Sequence, residues 1–414
     1  MSPSKQLPVI ISGAGIVGLT LAQALKKENI SFQIYERDTH LHARSAGWGI
    51  SIYCAHPALA DCMPSGFAEE LCSVQVDLQH ELTDVGSVFL NLETAKPRFV
   101  IPSNFRRRVS REKLRKLLTA GIDVNRDKQI SGFNPTKNGI LISFSDGTDV
   151  EGSLLAAADG SGSNIRQLLL GMDLGGFNQL LVRSLAVTVC LPEEKANRLQ
   201  TIAPLKFQGC HPDTGYYMWY SILSTPQVNS SFGANNPHYE AQLNVSWLVK
   251  GSNDDVPETN FDRLANIKYL ARMGTGFEKT LRETIEDIPD GTEVFEITLA
   301  DWPTIPWHGF DGRVTLLGDA AHPMTMYRGE AANHGLLDAQ KLMKQLRAWH
   351  LGEKTRSEAL ADYEAEMIVK GHEAVLLSRK ACLDAHEIQN LSYDSPLITR
   401  MTVALPRTQD CDRC

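Results

Sequence analysis

Pro8-Val9-Ile10-Ile11-Ser12-Gly13-Ala14-Gly15-Ile16-Val17-Gly18 is the stretch whose reading decides the fold. Pro8 to Ser12 reads as a buried apolar strand, and Gly13 to Gly18 as a turn of the form G-x-G-x-x-G. Leu19, Leu21, Ala22 and Leu25 then recur at helical spacing through Lys27, and Phe32 to Glu36 is a second strand ending in an acid. Strand, helix and strand within about 30 residues make a parallel βαβ crossover. Gly13 permits the tight turn, Gly15 lets the backbone approach a pyrophosphate, and Gly18 lets helix and strand pack closely. The helix start offers free N–H groups and a positive dipole end to the anion. Glu36 stands at the strand end, about 20 residues on, where a carboxylate accepts hydrogen bonds from ribose hydroxyls. An acid there disfavours a 2′-phosphate, which leaves NAD or the adenosine half of FAD.

Outward from this unit, a helical pattern follows Arg111, with Leu114, Leu117 and Leu118 on one side. Ile140 to Phe144 and Thr148 to Val150 flank Ser145-Asp146-Gly147 as a hairpin, and Leu154 to Ala158 is a small-residue buried strand. From about Leu180 to Val249 the pattern predicts an antiparallel sheet with one packed face. Helical material is expected from Phe261 to Ile288, a strand at Val314 to Leu317, and helices from Asn333 to Trp349 and from Ser357 to about Leu391. The tail beyond Leu391 reads as loosely structured.

Composition bounds the answer. The 414 residues are 43% hydrophobic and 22% charged, which excludes global disorder. A net charge of −8 argues against a nucleic-acid or anionic-membrane binder. Eight scattered cysteines are too few for a disulfide scaffold and fit a reducing, cytoplasmic setting. No apolar run reaches about 18 residues, because Asp173 divides the most tempting stretch, Leu168 to Val182, and no signal segment or tail anchor is expected. His211, His308 and His322 form no metal-ligand spacing, so no metal is expected.

Two further motifs choose the cofactor: Ala158-Asp159-Gly160-Ser161-Gly162-Ser163-Asn164-Ile165-Arg166 and Gly318-Asp319-Ala320-Ala321-His322-Pro323-Met324. With the glycine fingerprint, their order and separation resemble the class A flavin-dependent monooxygenases, the group of para-hydroxybenzoate and salicylate hydroxylases, over about residues 8 to 350. The text after the third motif looks most like fungal natural-product members, which implies a place in secondary metabolism. The resemblance implies a Rossmann-like α/β FAD-binding domain of the glutathione-reductase type, with an inserted antiparallel substrate domain and a C-terminal helical segment. Since the three motifs must meet on one FAD, the flavin domain would comprise residues 1–80, 105–180 and 290–350, the substrate domain 81–104 and 181–289, and the helical segment and tail 351–414.

The resemblance also implies roles. Asp319 would bind a ribityl hydroxyl of FAD, which suits a carboxylate because it accepts two donors. Asp159 would help hold FAD, or simply cap the helix that follows. Arg111 and Arg44 would face the flavin's phosphate side, where guanidinium forks suit phosphate oxygens. Arg37, Gly49, Ala331 and Ala332 complete the expected cofactor contacts, with the helix near Asn333 pointing its positive end at the ring. The run Arg106-Arg107-Arg108 reads as loop charge, and His322 as structural. Implied chemistry is reduction by NAD(P)H, followed by hydroxylation or epoxidation of an aromatic or conjugated small molecule with O₂, in a monomer or homodimer that binds no nucleic acid and carries no membrane anchor.

The sequence departs from the family at Met326, where proline is usual, and at Ala331, where a glycine is usual. A methyl at Ala331 would forbid a positive φ there. These changes keep open an FAD enzyme of the same fold doing non-oxygenating dehydrogenation, isomerisation or cyclisation, and a silent protein that keeps the fold without flavin. On the substrate side, alternation puts Tyr216, Met218 and Tyr220 on one face of a strand and Tyr217 and Trp219 on the other. Tyr217, Arg183 and His211 are the candidate catalytic or anchoring groups, with Trp48 as a candidate wall.

Overall fold

The computed structural model describes residues 7–41, 43, 48–78, 87–101, 107–251 and 254–399. Its centre is a five-stranded parallel sheet in the order Val314–Leu316, Leu154–Ala157, Val9–Ser12, Phe32–Tyr35, Val124–Asn125. The expected first unit is present: the strand Val9–Ser12, the helix Ile16–Lys27 and the strand Phe32–Tyr35, paired in parallel with Ile11 opposite Ile34. Val9, Ile10 and Ile11 are fully buried, as the central strand of a sheet covered on both faces requires. A three-stranded antiparallel meander, Ile130–Pro135, Ile140–Phe144 and Asp149–Gly152, carries the expected hairpin, with Gly147 at positive φ in its turn.

Close packing holds the helices on this sheet. A Cβ at Gly18 would stand 2.0 Å from the carbonyl oxygen of Gly13, and one at Gly335 would stand 2.4 Å from Val17 Cγ2. The first contact seats the helix Ile16–Lys27 on its own turn. The second lets the long helix Ala331–His350 cross it.

The second sheet has seven strands, in the order Val294–Glu296, Val182–Pro192, His238–Leu248, Tyr217–Ser224, Lys206–Cys210, Ser87–Asn91, Lys96–Ile101. It differs from expectation in two ways. It is mixed, because Lys206–Cys210 runs parallel to Ser87–Asn91. Both faces are packed in the region of Tyr217 to Ile222, where the alternating residues divide between two cores. Met218, Tyr220 and Ile222 pack with the helices Glu193–Ile202, Asn260–Leu270 and Lys279–Glu286, while Tyr217 packs with Tyr327, Ala381, Cys382 and Ala385. The stretch beyond Leu391 is also not loose as far as Thr399. Leu391, Leu397 and Ile398 are buried in that second core, each contributing about 1.5–3 kcal/mol of transfer free energy.

Smaller differences have local causes. Phe261 to Ile288 is two helices, broken where Gly274 and Gly276 take positive φ. The long helix begins at Ala331 rather than Asn333, and Arg356–Asp384 follows it under a Thr355–Glu358 capping box. Arg107 and Arg108 are not loop charge. They are buried in the strand Arg107–Ser110, paired antiparallel with Gly49–Ile52. Arg106 lies outside the described residues.

Candidate functional site

At the C-terminal ends of the parallel strands, where α/β sheets place their ligands, the chain forms an open crevice. Three segments converge on it. The glycine turn supplies Ser12, Gly13 and Gly15, the end of the second strand supplies Glu36 and Arg37, and the Asp-Gly loop supplies Asp159 and Gly160. Gly13 takes φ +97°, and a side chain there would also meet the carbonyl oxygen of Ala158 at 2.4 Å, so the position needs glycine twice over. At Gly15 no atom lies within 4 Å of a built Cβ, so the bare backbone faces open space. Side-chain-free backbone at a helix start is the cradle a pyrophosphate needs.

Glu36 is buried and oriented. Its Oε2 accepts the Ala14 N–H at 2.8 Å and its Oε1 accepts the Asp38 N–H at 3.0 Å. Arg115, which the sequence reading passed over, locks this corner from the helix Arg111–Leu118. Its Nε donates to the Ala14 carbonyl at 2.7 Å, Nη1 to the Leu41 carbonyl at 3.1 Å, and Nη2 to Glu36 at 3.4 Å. Burial pulls its pKa down and Glu36 pulls it back up. Arg111 begins the same helix, lines the crevice and donates its backbone N–H to Trp48 O at 3.1 Å. Arg37 is on the exposed rim. Arg44 lies outside the described residues, and Gly49 lies beneath the Arg108 guanidinium, which a Cβ would meet at 2.6 Å.

Asp159 does what a cap does. Its Oδ1 accepts from the Ser163 hydroxyl at 2.6 Å and its Oδ2 from the Ile165 N–H at 3.4 Å, at the start of the helix Asn164–Gly175. Lining the crevice is not excluded by this, and Asp159 does both. Burial raises its pKa. Asp319 follows Gly318, which takes φ +60° against Val17. Its carboxylate has access to solvent yet is ringed by protein, so desolvation raises its pKa while His322, Arg111 and Arg166 lower it. Among the described residues Asp319 accepts no side-chain hydrogen bond, so both oxygens are available to a ligand.

One fully buried cation ties the second and third motifs together. Arg166 donates Nη2 to the Ser161 carbonyl at 2.8 Å, Nη1 to the Ala320 carbonyl at 3.0 Å and Nε to the Gly175 carbonyl at 2.9 Å, and it stands over the rings of Phe177 and Trp302. Desolvation lowers its pKa to about 10, against the pull of Asp159 and Asp319. The Gly-Asp loop is braced from the other side by Asp338, whose Oδ2 accepts the Gly318 N–H at 2.9 Å and bonds His322 Nε2 at 2.6 Å. Burial works against a charged His322, but the Asp338 carboxylate outweighs it and the pKa is raised.

The segment with the two departures is well ordered by its neighbours. Met326–Arg328 is a 3₁₀ turn, and Gly329 then takes φ +65° before the helix begins at Ala331. The positive φ thus falls on Gly329, and Ala331 has ordinary helical geometry, so its methyl forbids nothing here. No side chain caps this helix, and Ala331 and Ala332 keep their N–H groups at its positive end. Arg328 holds the turn with a bidentate pair to Glu330 at 2.9 Å and bonds to the carbonyls of Pro396 and Thr399. Asn333 was also missed from sequence. Its Oδ1 accepts from the Tyr53 and Ala55 N–H groups, and its Nδ2 donates to the Ser51 carbonyl at 2.9 Å. It thereby fastens the helix start to the strand Gly49–Ile52.

The seven-stranded sheet presents one face to this turn. Tyr217 packs on Tyr327 with ring centroids 4.9 Å apart and donates to Gln208 Oε1 at 2.8 Å, and Asn244 Nδ2 approaches Met326 Sδ at 3.6 Å. Lys206 lies over Trp219 and donates to Ser51 Oγ at 3.3 Å. The other two candidates lie elsewhere. Arg183 alternates away from this face and is engaged by Asp255 at 2.9 Å. His211 is buried in a turn, its Nδ1 facing the Asp213 and Thr214 N–H groups and its Nε2 facing Thr275 Oγ1, with the ring stacked on Phe277. Their placement corrects the expectation for both: one ring is consumed by its turn, and one guanidinium by a surface carboxylate.

The crevice offers what a dinucleotide needs, bare backbone at a helix start and a buried carboxylate at the end of the second strand. Comparison with known proteins agrees. Residues 298–375 match the family model described as FAD binding domain, and residues 11–63 match the one described as NAD(P)-binding Rossmann-like domain. The chain is 46% identical over 352 residues to the FAD-dependent monooxygenase dbaB of Emericella nidulans, covering 84% of this chain and 88% of that one. Its fold is similar to a putative FAD-containing monooxygenase from Photorhabdus luminescens, with a TM-score of 0.73, 23% identity, and coverage of 93% and 100%. Klebsiella pneumoniae HpxO, solved with FAD and uric acid, is similar at a TM-score of 0.70 and 20% identity, with coverage of 92% and 90%. On this evidence the chain belongs to the FAD-dependent monooxygenases.

Proposed function

We propose that this enzyme hydroxylates or epoxidises an aromatic or conjugated small molecule with O₂ and NAD(P)H, its substrate lying between the start of the helix Ala331–His350 and the Tyr217–Trp219 face of the seven-stranded sheet. The observation that carries this reading is the half-buried Trp219, with Lys206 over its ring and bonded to Ser51, on the sheet face whose neighbours Tyr217 and Asn244 pack on Tyr327 and Met326. These contacts bring the large sheet against the turn that leads into the uncapped helix. The relative complexed with uric acid accepts a flat, conjugated molecule on a similar fold, which supports the substrate class.

Bound FAD supplies storage for two electrons from NAD(P)H and reactivity toward O₂. The chain supplies the rest. Gly13, Gly15 and Glu36 would hold the dinucleotide half, with Arg111 toward the phosphates and Asp319 toward the ribityl chain. The N–H groups of Ala331 and Ala332 favour negative charge developing beside the ring. Trp219 offers a π-face to an aromatic substrate, and the ammonium of Lys206 beside it favours an ionised phenol. Packing of Tyr217 and Tyr327 with Leu397 and Ile398 excludes water from the back of the site. Ordinary helical geometry at Ala331 removes one ground for a non-oxygenating reading.

The test is aerobic turnover. Purified protein should be yellow with about one FAD per chain, and phenolic or other conjugated candidates should stimulate NAD(P)H consumption together with O₂ uptake. Conversion of a substrate under anaerobic conditions without reductant would overturn the oxygenase reading in favour of isomerisation or cyclisation.

A further inference from the structure

At the far end of the large sheet, Cys190, His238 and Glu240 bring one ligand atom each to within 4.8 Å of one another. Strand register explains the cluster. Cys190 is directly opposite Glu240 on the paired strands Val182–Pro192 and His238–Leu248, and His238 is two residues from Glu240, so all three side chains leave the same face. Cys190 is exposed, and the other two are half-buried.

The surroundings hold these groups as metal ligands are held. His238 Nδ1 faces the Asn236 carbonyl at 3.3 Å, which makes Nδ1 the protonated nitrogen and leaves Nε2 with its lone pair. Glu240 Oε2 accepts from the Ser224 hydroxyl at 2.6 Å, and Ser224 Oγ in turn accepts from Asn229 Nδ2 at 3.1 Å. Asn229 Nδ2 also donates to the His238 carbonyl at 3.0 Å, so one asparagine steadies the backbone of one ligand and the side chain of the other. The thiol and carboxylate oppose each other when both ionise, and a dication between them removes that repulsion.

We propose that Cys190, His238 and Glu240 form a zinc site with a fourth, solvent-filled position. One sulfur, one nitrogen and one oxygen are a borderline-soft donor set that suits Zn²⁺ over Mg²⁺ or Ca²⁺. Binding would draw the three ligand atoms, already within 4.8 Å of one another, in to zinc–ligand distances of about 2.0–2.3 Å. On coordination the Cys190 thiol releases its proton to solvent and binds as thiolate, with no change of oxidation state. The bound ion would clamp the ends of two neighbouring strands to the turn carrying Asn229. The site is separate from the flavin crevice, and the proposal does not depend on the reaction assigned to it.

Zinc titration of the full, FAD-loaded chain against a chromophoric chelator tests this, with metal content and thermal midpoint measured on the same samples. One zinc per chain and a raised midpoint are expected, with affinity weakened about tenfold or more in both Cys190→Ser and His238→Gln. Flavin absorbance should be unchanged in both variants, which shows that they fold. Failure of the native chain to take up zinc, or an unchanged affinity in either variant, would overturn the site.

Discussion

The dinucleotide crevice and the aromatic face of the large sheet are built by different means. In the crevice the chain works mainly through backbone: Gly13 and Gly15 are useful for what they lack, and the helix start at Ala331 acts through its N–H groups. The sheet face is a surface of side chains, with Tyr217, Trp219 and Lys206 set by strand register and by partners distant in sequence. The difference teaches where variation is tolerated. Backbone recognition admits few substitutions, whereas a sheet face can be repainted residue by residue without disturbing the cofactor.

Five variants would break or sharpen this contrast. The largest effect is expected from Arg166→Ala, which orphans the carbonyls of Ser161, Gly175 and Ala320 and separates two flavin-side loops. A loss of about 3–5 kcal/mol in denaturant unfolding is expected, and a loss below about 1 kcal/mol would show that the loops hold without it. Asp319→Ala should weaken FAD binding by about 10–100-fold, the weight of a charge-assisted hydrogen bond, measured by flavin fluorescence. Full FAD occupancy in that variant would remove the carboxylate from the site.

Glu364 tests the body of the parallel-sheet region through pH. Burial raises its pKa from 4.5 to about 7. The folded state thus holds the proton more tightly than the unfolded chain, so the associated stability is complete below about pH 4.5 and lost as pH rises through about 7. The shift bounds the loss at about 3 kcal/mol. Glu364→Gln cannot ionise, and its stability should decline less between pH 5 and pH 8, by about 1–2 kcal/mol. Parallel curves for both proteins would refute the shift.

The smallest effects concern the sheet. Tyr217→Phe deletes one buried hydrogen bond to Gln208, with an expected cost of about 1 kcal/mol and a change in KM or in the fraction of NAD(P)H consumption coupled to product. Arg183→Ala on the opposite face should leave kcat/KM within about twofold. A larger effect at Arg183 than at Tyr217 would reverse the assignment of faces.

Much of this was legible before the structure because it is local. The crossover, its glycines, Glu36 and the hairpin at Gly147 are written within short windows, where apolar period and turn chemistry decide conformation. Alternation correctly divided Tyr216, Met218 and Tyr220 from Tyr217 and Trp219 for the same reason. It could not say that both faces would be covered, because Leu391, Leu397 and Ile398 arrive from the far end of the chain. Arg115 and Asn333 carried no local signal, and Arg166 ends the Asp-Gly motif without showing there what it would brace. Each acts on partners that include groups far away, Ala14 for Arg115, Ala320 for Arg166 and Tyr53 for Asn333. A run of three arginines looked like surface charge, yet strand pairing buries Arg107 and Arg108.

The sequence by itself determined the dinucleotide turn, the order of three flavin motifs and the family they resemble, since each depends on residues within a few turns of one another. Only the tertiary structure decided which arginines brace the crevice, that the positive φ before the long helix belongs to Gly329 and not Ala331, and which face of the large sheet meets that helix. Those outcomes depend on backbone register and on contacts between segments tens to hundreds of residues apart, which no local pattern encodes.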